Sequence, residues 1–222
     1  MTLSLSRDGA ERFSLAISES ELSDVEALVG PVPPDRAGIR LYGIPELTSW
    51  LNWPGPMARI AALLLGDRCR PVRALLFNKT ADMNWSFGWH QDRAIAVKRR
   101  IAVPGFGPWT MKDGLLHVAP PFEVLAGMTT LRLHFDPVAA TNAPLLIAPG
   151  SHNAGVIRNE EIPDAIARYG VARCLADTGD IWVYATPILH ASERAEIPAR
   201  RRVLQVDYAA AALPWGIEWL GL

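Results

Sequence analysis

The sequence predicts a mainly β fold of the α+β class, a sandwich or jelly roll with helices on one side. Two observations predict it. All but one of the helix signals fall before residue 67, and from residue 70 the chain reads as short strands separated by turns. The clearest strand, 129–136, alternates strictly: Leu131, Leu133 and Phe135 face one way and Thr130, Arg132 and His134 the other.

The elements follow in order. Residues 1–17 are mixed, with a short alternating piece at 13–17. Ser18 and Ser20 stand beside Glu19 and Glu21 ahead of Leu22, Val25 and Leu28, the pattern of a capped helix that stops at Gly30. Pro31, Pro33 and Pro34 then exclude helix. Residues 45–52 form a second short helix stopped by Pro54, and 57–65 a third that ends at Gly66. These helices carry no catalytic constellation and are expected to buttress a sheet over about 18–66. Residues 72–77 are apolar enough for a central strand. The segment 84–92 follows as another. Two prolines and two glycines among aromatics in 104–109 mark 93–122 as an ordered loop, expected to be a lid. Strands are expected at 145–148, 172–175, 181–184 and 203–208, with a helix at 163–169.

The 222 residues suffice for one domain, 1–222, with its strand core over about 70–210. Half the residues are hydrophobic, a fifth are charged and the net charge is −1, so bulk electrostatics recruit neither nucleic acid nor an anionic membrane. The longest apolar run, 60–65, is far too short to span a bilayer. Cys69 and Cys174 lie far apart in no metal-like spacing and read as buried free thiols. With no signal-peptide pattern at the N-terminus, a cytoplasmic location is expected.

The chemistry starts at His90 and Asp92. On a strand, side chains two apart share a face, and an imidazole beside a carboxylate makes two of the three ligands of a facial triad for non-haem Fe(II). An H-x-D pair alone is common. A third ligand must come from His117, His134, His152 or His190. His190 follows a turn and a strand, is followed by Ser192, and precedes Arg200, Arg201 and Arg202. An arginine there suits the far carboxylate of a dicarboxylate such as 2-oxoglutarate.

With these pieces in place, the chain resembles the phytanoyl-CoA dioxygenase-like family of Fe(II)/2-oxoglutarate oxygenases. The resemblance is carried by Trp89-His90-Gln91-Asp92, Asn142, Pro149-Gly150-Ser151-His152, Gly179-Asp180, and His190-Ala191-Ser192 leading to Arg201. It covers roughly residues 72–209. It implies a double-stranded β-helix (jelly-roll, cupin-like) core, with His90, Asp92 and His190 as iron ligands. It implies further that Arg201, supported by Ser192, takes the 2-oxoglutarate carboxylate. The implied reaction uses O₂, releases succinate and CO₂, and hydroxylates a C–H bond of a small-molecule substrate.

Each remaining candidate carries two readings. Residues 193–199 depart from the family pattern, so Arg202 stands as the alternative anchor. His152 is the rival ligand and also fits a turn with structural hydrogen bonds. Asn78 and Lys79 end a strand, where they either meet solvent or reach the cosubstrate. Thr130, Arg132 and His134 form a solvent-facing stripe or line the pocket, Thr130 toward the cosubstrate and Arg132 toward an acidic substrate group. Trp85, Trp89 and Trp109 serve the core or the substrate pocket. Two other function classes fit the fold: a cupin-like metal enzyme that needs no 2-oxoglutarate, and a non-catalytic jelly-roll binding protein.

Overall fold

The structure, a computed structural model, describes residues 2–33 and 36–222. Of the three prolines expected to break the first helix, Pro34 lies outside the described residues.

The helical buttress forms where the caps placed it. A short helix α1 (Leu5–Asp8) and strand β1 (Ala10–Phe13) precede α2 (Glu19–Val29). The capping box of α2 is complete: Ser18 Oγ accepts from the Glu21 amide at 3.3 Å and the Glu21 carboxylate accepts from the Ser18 amide at 2.9 Å. Strand β2 (Gly38–Leu41) comes next, then α3 (Pro45–Leu51) and α4 (Pro56–Leu65), each with proline in its first turn. Two pieces here depart from expectation. The alternating piece at 13–17 is a strand shifted to 10–13, and β2 is a four-residue strand too short to show a period.

The strands continue with β3 (Arg70–Lys79), β4 (Phe87–His90), β5 (Ile95–Ala96), β6 (Trp109–Lys112) and β7 (Leu115–Val118). After helix α5 (Phe122–Ala126) come β8 (Met128–His134) and β9 (Leu145–Ile147), then α6 (Ile162–Tyr169). The last four strands are β10 (Ala172–Cys174), β11 (Ile181–Ala185), β12 (His190–Ser192) and β13 (Arg201–Ala209). They build an antiparallel six-stranded sheet, β1-β11-β8-β13-β3-β2, and a four-stranded sheet, β10-β9-β12-β4. Trp182 and Tyr184 of the first pack with Leu145, Ile147 and Cys174 of the second, so the two sheets face each other as a jelly roll.

The outer face of the large sheet holds the main core. Ala74, Leu76, Leu131, Leu133, Leu204 and Val206 pack against Leu22, Val25, Leu47, Leu51 and Met57 of the helices. Each fully buried leucine contributes roughly 1.5–3 kcal/mol. The Tyr208 hydroxyl donates to the Leu51 carbonyl at 2.8 Å and ties β13 to the end of α3.

The expected lid loop at 93–122 is instead a third sheet, β5-β7-β6. Its apolar side, with Ile95, Val97 and Val118, packs on Phe106, Leu213, Ile217 and Trp219, so the lid and the C-terminal tail share a second core. Both thiols are free and buried, and burial pushes Cys174 up to about 12. Among the described residues no helix is long and apolar enough to cross a membrane.

Candidate active site

His90 ends β4, His190 begins β12, and the two are direct partners across the ladder, with ring centroids 4.2 Å apart. Asp92 departs from the expected geometry, because β4 stops at His90 and Asp92 sits in the loop beyond it. The loop is fixed by the buried Gln91. Its amide donates to the carbonyls of Gly155 (2.9 Å) and Pro187 (2.8 Å) and accepts from the Ile157 amide (2.9 Å). With Gln91 pinned outward, Asp92 turns back to the histidines. One ligand atom from each of His90, Asp92 and His190 lies within 4.8 Å of the others.

The protonation of this cluster suits a divalent metal. Nδ1 of His90 is 2.7 Å from the Gly88 carbonyl and Nδ1 of His190 is 2.9 Å from that of Ile188. A carbonyl only accepts, so each ring carries its proton on Nδ1 and leaves the Nε2 lone pair to a ligand. Burial, partly offset by Asp92, pulls His190 down to about 4, which keeps the ring neutral at pH 7. Burial raises Asp92, but the Arg73 cation and the two histidines outweigh it and hold the carboxyl at about 2. Arg73 Nη2 donates to Asp92 at 3.0 Å and its Nε to Asp207 at 2.5 Å. Burial raises Asp207 despite Arg73, and Thr130 Oγ1 donates to it at 3.0 Å. Two neutral imidazoles and one carboxylate on one side of a metal match the donor set of non-haem iron.

A second group of charges lies at and behind the cavity wall, Arg132 on it and Arg201 and Lys79 behind. Arg201 and Lys79 are register partners on β13 and β3, and both are buried. Arg201 Nη1 donates to the Ala143 carbonyl, while Nε and Nη2 are buried with no partner among the described residues. Burial, reinforced by Arg132, lowers this guanidinium to about 9. Lys79 Nζ donates to the Glu193 carbonyl (2.6 Å) and Ser192 Oγ (3.3 Å), and burial with the Arg201 and Arg132 charges takes it to about 7. Arg132 donates to Gln205 at 2.6 Å, and its Nε has no partner among the described residues. Three cations thus converge with no carboxylate of the described residues among their hydrogen-bond partners, a strong preference for an anionic ligand. Arg202 points the other way and is saturated by Asp136, at 2.8 and 2.9 Å, and by Glu26. Parity on β13 separates the two arginines.

An open cavity of about 330 Å³ meets His90, Asp92, His190, Ser192 and Arg132. Several candidates lie outside its wall. Asn78 pairs with Arg202 on the outward face of the sheet, so strand parity removes it from the site. Trp89 packs against a satellite core with Leu189 and α6. Trp109 belongs to the lid core, with Arg100 5.6 Å from its ring centroid. Thr130 and His134 share the inner face with Arg132, so that stripe is buried and not solvent-facing, yet neither lines the cavity. His152 lies outside the triad, its ring against Gly9, where a Cβ would come within 2.2 Å of Nδ1. That contact and its φ of 71° both require glycine.

Sequence reasoning passed over Arg73, Asp207 and Gln205, although their parity with Lys79 and Arg201 was readable. It also passed over Arg40, Lys112 and Asp113, which line the mouth.

The sequence profile of the phytanoyl-CoA dioxygenase (PhyH) family matches residues 59–203, a span that holds the triad and Arg201. L-proline trans-4-hydroxylase of Streptomyces griseoviridis is 24% identical over 218 residues, covering 86% of this chain and 70% of that protein. Among solved structures, EctD from S. alaskensis with 2-oxoglutarate and 5-hydroxyectoine superposes with a TM-score of 0.65 at 19% identity, over 93% of this chain and 73% of that one. HygX from Streptomyces hygroscopicus, with nickel, 2-oxoglutarate and hygromycin B, does so with a TM-score of 0.61 at 14% identity, over 92% and 84%. These superpositions agree with the jelly roll, and the profile match identifies the chain as a member of the phytanoyl-CoA dioxygenase family of Fe(II)/2-oxoglutarate-dependent oxygenases.

Proposed function

We propose that the protein is a hydroxylase that oxidises a C–H bond of a small molecule, with 2-oxoglutarate converted to succinate and CO₂. The observation that carries this reading is the His90–Asp92–His190 cluster on a cavity whose wall at Ser192 is backed by Lys79, the register partner of the buried Arg201. His90, Asp92 and His190 would hold the iron. Arg201, with Lys79 and Ser192, would hold the far carboxylate of 2-oxoglutarate. When bound, iron and 2-oxoglutarate supply the activation of O₂.

The chain's own residues do the rest. The Gly88 and Ile188 carbonyls keep a proton on each Nδ1 and aim both Nε2 atoms inward. Arg73 holds the Asp92 carboxylate ionised and oriented. The Phe77 and Leu75 side chains line the cavity and exclude water from its wall. A cavity of about 330 Å³ is at the lower end for small-molecule sites. The small molecules bound by EctD and HygX support a substrate of that class. The cytoplasm, where thiols stay reduced, fits two buried free cysteines.

A cupin-like metal enzyme without cosubstrate has no use for the Arg201–Lys79–Arg132 cluster, so tight 2-oxoglutarate binding separates the two readings. The decisive variant is Asp92→Ala, which is expected to abolish succinate release above background. Turnover at the wild-type level in that variant removes the assignment.

A further inference from the structure

The mouth of the cavity carries charge that neither the metal cluster nor the cosubstrate end uses. Arg40 projects from β2 on the inner face, opposite Leu75 of β3, and Lys112 comes from the end of β6 in the lid hairpin. Both line the cavity. Asp113 is the anion beside them, its carboxylate 3.0 Å from Arg40 Nε. Arg40 is largely enclosed, with 17% of its side chain exposed against 62% for Asp113, and its Nη1 is buried with no partner among the described residues. Lys112 has no ion-pair partner among them. Burial lowers both cations from their ordinary values, and both feel the charge of Asp92, so they stand within electrostatic reach of the metal cluster.

Arg73 is taken up by two carboxylates, Asp92 and Asp207. Of the two cations at this end of the cavity, Arg40 has one ion-pair partner among the described residues, Asp113, and Lys112 has none. These donors are remote from the Arg201 end. Leu75, opposite Arg40, and Lys79, opposite Arg201, are four residues apart on β3, about 13 Å along a strand. A 2-oxoglutarate held at Lys79 and reaching the metal cluster leaves the Arg40 end to another molecule.

We propose that this end is the substrate subsite, and that the substrate is a small carboxylic acid whose carboxylate is gripped by the Arg40 guanidinium with Lys112 assisting. The proposal rests on the oxygenase reading above. A planar guanidinium with unused donors suits a carboxylate in bidentate fashion, whereas a neutral group leaves the charge uncompensated. Asp113 competes for the same guanidinium. It occupies the hairpin turn with Gly114, at φ values of 51° and 76°, a tight two-residue turn that holds it over Arg40.

The test is ligand-detected NMR on the Mn(II)- and 2-oxoglutarate-loaded protein. The probes are a panel of carboxylic acids of amino-acid size, L-proline among them, each paired with its primary amide. At least one acid is expected to bind at least tenfold more tightly than its amide. Arg40→Gln should erase that preference and Arg40→Lys keep part of it. Lys112→Gln, at an exposed position that tolerates change, should weaken the acid two- to fivefold. Asp113→Asn, whose side chain tolerates the turn, should tighten it. Equal binding of acids and amides, a preference that survives Arg40→Gln, or no acid bound at all would overturn the proposal. Mn(II) and 2-oxoglutarate binding is measured first by calorimetry. Its failure sinks the oxygenase reading alone, and the acid–amide comparison on the unloaded protein still decides this one.

Discussion

The same three strands, β3, β8 and β13, show two unlike faces. Outward they present Ala74, Leu76, Leu131, Leu133, Leu204 and Val206, sealed by helices. Inward they present Arg73, Lys79, Arg132, Arg201, Gln205 and Asp207, nearly all buried as well. Depth is therefore similar and chemistry opposite. The outer face gains free energy from burial. The inner face gives some of it back, because charged groups are held out of water before any ligand arrives. Stability and function are written on alternate residues of one chain segment.

Substitutions on the two faces should part accordingly. Leu133→Ala, on the outer face, is expected to destabilise by about 2–5 kcal/mol in denaturant titrations, while the folded protein keeps its affinity for 2-oxoglutarate. Arg201→Met, on the inner face, should do the reverse. Affinity for 2-oxoglutarate should fall on the order of 100-fold, about 2.7 kcal/mol, yet the ligand-free protein should melt about 2–4 °C higher because a buried unpaired cation is gone. A lower melting temperature would show that the inner face is stabilising after all. Thr130→Val removes the donor to Asp207 and should cost about 1–2 kcal/mol, with a weaker hold on Mn(II) through Arg73 and Asp92.

The gentlest contrast is with pH. Lys79 titrates at about 7 when folded, below its ordinary value. Between pH 7 and about 10 the unfolded chain keeps that proton and the folded chain does not, so stability of the ligand-free protein rises with pH across this window. Below pH 7 both states are protonated and the penalty is fully present. A bound dianion favours the charged lysine, so 2-oxoglutarate binding should take up a proton above pH 7 and weaken as pH rises. Calorimetry in two buffers of different ionisation enthalpy measures that uptake, and Lys79→Met should remove it. The same uptake in the variant would place the titrating group elsewhere.

Much of this was readable from residue order. The caps at Ser18 and Gly66 marked helices because capping is local chemistry. The Arg201–Lys79 side was legible because alternation fixes which side chains share a face. Asp92 was found for an incomplete reason: the strand ends at His90, and the turn back depends on Gln91 bonding to Gly155 and Pro187, partners far away in sequence. Asn78 failed on parity: it is adjacent to Lys79 on β3, so the two face opposite ways, and the register with Arg202 puts Asn78 on the outward side. The lid was read as a loop because its strands are two to four residues long and separated by Pro and Gly, so their pairing is non-local. Trp89 and Trp109 show that aromatics near a site are often structural.

The lid hairpin has one more consequence. Its base is locked into an apolar core with Ile217 and Trp219, while its tip, Lys112-Asp113-Gly114, is exposed and reaches the cavity through two side chains. A tip of that kind can be exchanged without disturbing its platform or the His90–Asp92–His190 cluster. It is where a lineage, or an engineer, could graft a new turn and redirect the enzyme to another compound, leaving the oxidising machinery as it stands.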